Sequence, residues 1–265
     1  MKVQHSNNIA IYIGLLVIAA FCGGCQEKLT EPHAIKAEVT LTPEQKFAQL
    51  LEKANEGDAT AQVQVGRAYA KGEDVPKDLN KAFQYIEKSA AQGNAEGQFR
   101  LGDFYQRGKG VAENPAKAAE WYEKSAAQNN PDAQLWLAFM YLDGKGVKKD
   151  VARAEALLQQ ASENGDGLAI YFLGGMYQGN GPHFKKDLDK ELALYRKNAE
   201  RGNKVAQRLL ARMYETGNGV IQDKQVAVDW YGKAATGGDS LAQYELGLAY
   251  FIGEAVPKDS GKAFG

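Results

Sequence analysis

A 36-residue pattern recurs along this chain, and that period constrains the fold more than any other property. Gly93 to Gln128 reads GNAEGQFRLGDFYQRGKGVAENPAKAAEWYEKSAAQ, and the same pattern occupies 57–92 before it and 129–164 after it. A fourth copy covers 165–201 with one extra residue, and a fifth covers 202–237. A sixth starts at Gly238 and is incomplete at Gly265. Self-similarity at such a period marks an array of like units, each burying against its neighbours a face it cannot bury alone. Composition fits a packed array: 44% of residues are hydrophobic, too many for a disordered chain. Lys plus Arg (32) nearly balances Asp plus Glu (33), which points away from nucleic acid and from a polybasic membrane contact.

Each unit reads as two helices. In the second copy Gln98, Leu101, Gly102 and Tyr105 fall at i, i+3, i+4 and i+7 on the first helix, helix A. Ala118, Trp121, Tyr122, Ser125 and Ala126 repeat that spacing on the second, helix B. Gly102 and Ala118 are small, as a close helix crossing requires. Between the helices lies Gly108-Lys109-Gly110-Val111, echoed at 144–147 and 217–220, where a left-handed glycine can end helix A. Asp78, Asn114, Asp150, Asp187, Asp223 and Asp259 recur ahead of helix B as caps. Gly93, Gly165, Gly202 and Gly238 are placed to close helix B. Before the array, Thr42-Pro43-Glu44 opens a further helix with Phe47, Leu50, Leu51 and Ala54 on one face, expected over 42–56 as an amino-terminal cap.

The pattern A-x-x-Q-x-x-L-G-x-x-Y-x-x-G-x-G-V, followed by D-x-x-K-A-x-x-W-Y-x-K-A-A, resembles the Sel-like repeats, relatives of the tetratricopeptide repeats. The match runs over 57–265, with Ala138 and Ala211 replacing the helix A glycine and Ile170 replacing the glutamine. The resemblance implies an all-α fold, an α/α superhelical solenoid of about six repeats whose concave side is lined by helix A. It also implies binding of protein partners, often as an adaptor in bacterial envelope or signalling systems. Cysteine-rich relatives linked to β-lactam binding carry cysteine pairs that this array lacks, so that property does not carry over.

The first residues point to export. Ile9 to Phe21 is a 13-residue apolar run behind Lys2, short for a membrane span of about 20 residues and suited to a signal peptide. Cys22-Gly23-Gly24-Cys25 follows and resembles a bacterial lipobox, giving a signal over 1–24 with Cys25 as the lipidated residue. A plain cleaved signal and a single amino-terminal anchor are the alternatives. All three place the repeats outside the cytoplasm, and Gln26 resembles the sorting residue of outer-membrane lipoproteins. Residues 25–41 are polar and read as a tether.

No chemistry is legible in the repeats. Gly108-Lys109-Gly110 lacks the Gly-Lys-Ser/Thr ending of a phosphate loop and recurs as a turn. Of His5, His33 and His183 only the last falls in the array, without metal-ligand spacing around it. No nucleophile–base–orienter set stands out. We therefore expect no enzyme, no cofactor, no metal and no small-molecule substrate.

Function in an array resides where copies differ. One helix A column reads Gln64, Arg100, Trp136, Phe172, Leu209, Glu245: polar outside, large and apolar in the middle. A Trp136-Phe172-Leu209 strip on the concave side is the expected partner-binding surface, extended by Met140, Met176 and Met213 on the neighbouring column. The competing reading buries that column through local curvature. Phe184, in the lengthened fourth loop, is either a partner contact or a substitute for the missing loop valine. The sixth copy stops early in helix B, so its helix A is expected to expose apolar surface, as a fragment of a longer array or an end covered by a partner. The function these features suggest is a non-catalytic protein-binding scaffold anchored in the envelope of a Gram-negative bacterium, facing the periplasm. An immunity protein against an envelope-delivered toxin and a cell-wall-active hydrolase resembling a β-lactamase are the alternatives.

Overall fold

The computed structural model describes residues 41–181, 184–253 and 255–264. Among them every regular element is an α-helix. Helix α1 (Pro43–Asn55) precedes an array of helix pairs: α2 (Ala59–Lys71) with α3 (Leu79–Ala91), α4 (Ala95–Arg107) with α5 (Pro115–Ala126), and α6 (Pro131–Asp143) with α7 (Val151–Glu163). The array continues with α8 (Gly167–Tyr177) and α9 (Leu188–Glu200), then α10 (Lys204–Thr216) and α11 (Lys224–Thr236). It ends with α12 (Ser240–Ile252) and the short α13 (Ser260–Phe264). Each helix packs on the one before and the one after it in the chain, the order of an α/α solenoid. Successive first helices also touch, α2 with α4 and α8 with α10, so the first helices lie on the tighter radius.

Local chemistry explains the pairs. Asp78, Asn114, Asp150, Asp187 and Asp223 each accept a backbone N–H of the helix they precede, as their spacing predicts. A second set of caps, not recognised in the sequence, starts the first helices: Asp58, Asn94, Asn130, Asp166, Asn203 and Asp239 do the same there. Thr42 and Gln45 form a reciprocal capping box on α1. Asp150→Ala should lower stability by about 1 kcal/mol in urea unfolding, because three other α7 backbone donors keep their surroundings while one loses its acceptor. A loss below a few tenths would mean that water replaces the cap.

The crossing of the two helices depends on the small residues. A Cβ added at Gly102 would lie 2.6 Å from the Tyr122 ring, so only glycine lets α5 approach α4 this closely. Tyr122 is 1% exposed, and burial raises its phenol pKa. The recurrent glutamine is a latch between repeats. Gln62 Nε2 donates to the Ala54 carbonyl at 3.0 Å, while its Oε1 accepts from Gln92 at 2.7 Å. Gln134 repeats this with Ala126 and Asn164. One buried amide thus ties the end of the preceding helix to the end of its own repeat, which satisfies groups that would otherwise be orphaned. On α12, Leu241, Tyr244, Phe251 and Ile252 are exposed, while Leu246 packs on the core of the fifth repeat.

Candidate functional site

The seven residues singled out as partner contacts divide into two groups. Trp136 and Phe172 are 36% and 41% exposed. They belong to one chain of rings: Trp136 meets Phe139 edge-on at 5.8 Å, Phe139 meets Phe172 at 4.7 Å, and Phe172 meets Tyr171 at 5.6 Å. Arg107 lies over the Trp136 ring at 5.7 Å. Tyr171, half exposed, was not singled out by sequence. Its column, Val63, Phe99, Leu135, Tyr171, reads as core in the first three repeats and turns outward only in the fourth.

Leu209, Met140, Met176 and Met213 are not surface residues, and the expected exposed strip stops at Phe172. Leu209 packs in the core with Ile170, Tyr195 and Leu210. The methionines, one turn on from Trp136, Phe172 and Leu209, are buried in the core clusters. Phe184 is half-buried against the core that also holds Val147, so it takes the loop valine's packing role. Cys25 and His183 lie outside the described residues. No group of three or more His, Cys, Asp or Glu is gathered as a metal site among the described residues.

Five of the seven nevertheless meet around one cavity. Phe172, Met176, Phe184, Leu209 and Met213 line a space of about 620 Å³ between α8, α9 and α10. It lies where the fourth repeat departs from the array in four places. Gly175 stands where the third repeat has Phe139, and a Cβ there would meet only Asn180 Nδ2, at 3.7 Å. Glu191 stands where the complete copies have Ala82, Ala118, Ala154 and Ala227. Ile170 replaces the latch glutamine, and the α8–α9 loop carries the extra residue. As a result α8 and α9 are the least closely packed pair among the five complete repeats.

Glu191 is fully buried at the cavity wall. Its Oε1 accepts from Gln178 Nε2 at 2.5 Å, and Tyr195, one turn on, faces the same carboxyl. Its Oε2 has no partner in hydrogen-bonding geometry. Burial pushes the carboxyl above the usual carboxylate range, against the opposing pull of Gln178, Tyr195 and the nearby charge of Lys186. The sequence signal for this residue was available: a carboxylate in a column of alanines.

The edge of the aromatic chain is acidic. Arg100 pairs with Glu96 at 2.6 Å, and the Asp132 carboxyl is raised by partial desolvation and by Asp166 and Glu96, with Arg100 opposing. In the fifth repeat the column of Tyr171 becomes Arg208, which pairs with the Asp239 cap at 3.0 Å and ends the apolar run.

The Sel1 repeat family model matches 59–94, 95–130, 131–166, 167–203, 204–239 and 240–265. Its frame starts two residues after the one chosen from the glycines, with the same period. A Sel1 repeat protein from Oxalobacter formigenes is similar at 31% identity and a TM-score of 0.66, over 82% of this chain and 96% of that one. A protective antigen present in uropathogenic Escherichia coli strains, displaying the same fold, is 32% identical with a TM-score of 0.57. That similarity covers 84% of this chain and 55% of the antigen. No curated protein sequence gives a significant match. With six matching repeats over most of its length and the helix pairs to go with them, the chain belongs to the Sel1 repeat family.

Proposed function

We propose that this chain is a non-catalytic scaffold of the bacterial cell envelope that binds a protein partner across the helix A face of its third and fourth repeats. The fold is one typical of protein–protein interaction scaffolds and is typically non-catalytic. The observation that carries the reading is the chain of rings from Trp136 through Phe139 and Phe172 to Tyr171, partly exposed in the middle of the array. The corresponding Trp136 column carries Gln64, Arg100 and Glu245 in the outer copies. Aromatic clusters of this kind, ringed by polar residues, supply most of the binding energy in protein interfaces. With the signal over 1–24 removed, an acylated Cys25 and the tether of 25–41 hold the chain at the membrane, with the repeats in the periplasm. No described helix is long and apolar enough to cross a membrane.

The test compares the full chain with a Trp136→Asp, Phe172→Asp double variant in pull-downs from envelope extract, followed by titration with the purified partner. Both side chains are partly exposed, so the variant should keep its helicity and thermal midpoint. The expected result is a partner lost from the variant, with affinity weakened roughly 100-fold, as for removal of two hot-spot residues. Identical partners and affinities for both chains would sink the assigned face. A partner that is a secreted hydrolase, inactivated on binding, would make the scaffold an immunity protein. Turnover of peptidoglycan or a β-lactam by the pure chain would overturn the non-catalytic reading.

A further inference from the structure

We propose that the cavity of the fourth repeat receives an aromatic side chain bearing an N–H or O–H, a tryptophan or tyrosine of the partner, whose donor reaches Glu191. This deepens the scaffold reading and rests on it. The unpartnered Oε2 of a fully buried carboxyl is an acceptor waiting for a donor, and an unsatisfied buried polar atom is costly to keep. No other complete repeat carries a carboxylate at this position, and its alanine counterparts show that the helix crossing does not need one.

The walls select the rest of the ligand. Phe172, Phe184, Met176 and Met213 present rings and thioethers, which favour a flat aromatic body. Lys186 and Arg212 share the lining, so a lysine or arginine would enter against two like charges, whereas a neutral donor would not. The volume of about 620 Å³ falls within the range of ligand pockets and holds an indole together with part of its flanking chain. Tyr171 and Phe172 belong both to the cavity lining and to the ring chain running out to Trp136, so a partner lying on that face has a continuous apolar route to Glu191.

The experiment uses side-chain mimics on the full chain with methyl-labelled methionine, read by NMR. Met176 and Met213 line the cavity and Met140 does not, so the protein carries its own control. 4-Methylphenol and 3-methylindole should shift the Met176 and Met213 methyls saturably and leave Met140 in place. Toluene should bind about tenfold more weakly than 4-methylphenol, and n-butylammonium more weakly still. Glu191→Met, which keeps the length and removes the acceptor, should erase the preference for the phenol over toluene. Saturating 4-methylphenol should weaken capture of the partner. Equal binding of phenol and toluene to the native chain, tighter binding of the ammonium, or equal shifts at Met140 would each overturn the proposal. So would partner binding that is indifferent both to 4-methylphenol and to Glu191→Met. If that partner were still lost from the Trp136→Asp, Phe172→Asp variant, the scaffold reading would survive without the pocket.

Discussion

Gly146→Ala should lower the unfolding free energy by about 3 kcal/mol or more. Two costs combine. Gly146 has φ of +78°, a conformation that disfavours any Cβ. An added Cβ would also lie 2.4 Å from the carbonyl carbon and oxygen of Pro115, at the start of α5 in the preceding repeat. Backbone cannot yield there without moving α5 away from α6. Gly93→Ala is the control: its φ is +85°, but nothing lies within 4 Å of the added atom. That variant should cost only about 1 kcal/mol. Urea unfolding followed by circular dichroism separates the two. Equal losses would show that the Gly146 loop does not seat on its neighbour. A large loss confined to Gly146 would show that the second loop glycine is an inter-repeat contact, felt along the array through nearest-neighbour coupling.

Glu191→Gln should stabilise the protein at neutral pH by about 1–3 kcal/mol, because it removes a charge buried without full hydrogen bonding while leaving a neutral polar group in its place. The sign follows from the shift. A carboxyl raised above 4.5 in the folded chain favours the protonated form there, so its contribution is fully present below that value. Stability is then lost as pH rises through the folded value, where the carboxylate must be carried in the interior. Gln178 and Tyr195 hold the carboxyl from its own repeat, Lys186 approaches from the loop, and Arg212 lies across the cavity on α10. The amide variant keeps the shape and the Gln178 contact but has no charge. Its advantage over the native chain should therefore shrink toward zero as pH falls to about 4.5 and below. A difference that does not change with pH would mean that Glu191 does not titrate in the interior. Stability gained by removing a buried group is the pattern expected where that group is kept for binding.

The two variants also divide what could be read early from what could not. The period, the helix pairs and the caps before helix B are local: each depends on residues within one turn or one loop, and Asp150 or Gly102 states its role within a few positions. The caps of the first helices were equally local, and the repeated Asp/Asn after each closing glycine was their signal. Exposure along the helix A column was a different matter. Trp136 and Leu209 occupy equivalent places in their repeats, yet one is exposed and the other packs beside Ile170 and Tyr195. The fourth-repeat cavity likewise needs residues from α8, α9, α10 and a loop to face one another.

By itself, then, the order of residues determined an all-α array of six units, because helix periodicity, caps and glycine turns are written within each 36-residue copy. Only the tertiary structure decided which apolar residues form a surface. It also showed that Gly175 and Glu191 line one cavity with residues of α10 and that Glu191 Oε2 is left without a partner. Burial is set by what stacks against a side chain, and in a solenoid that neighbour is contributed by a different copy.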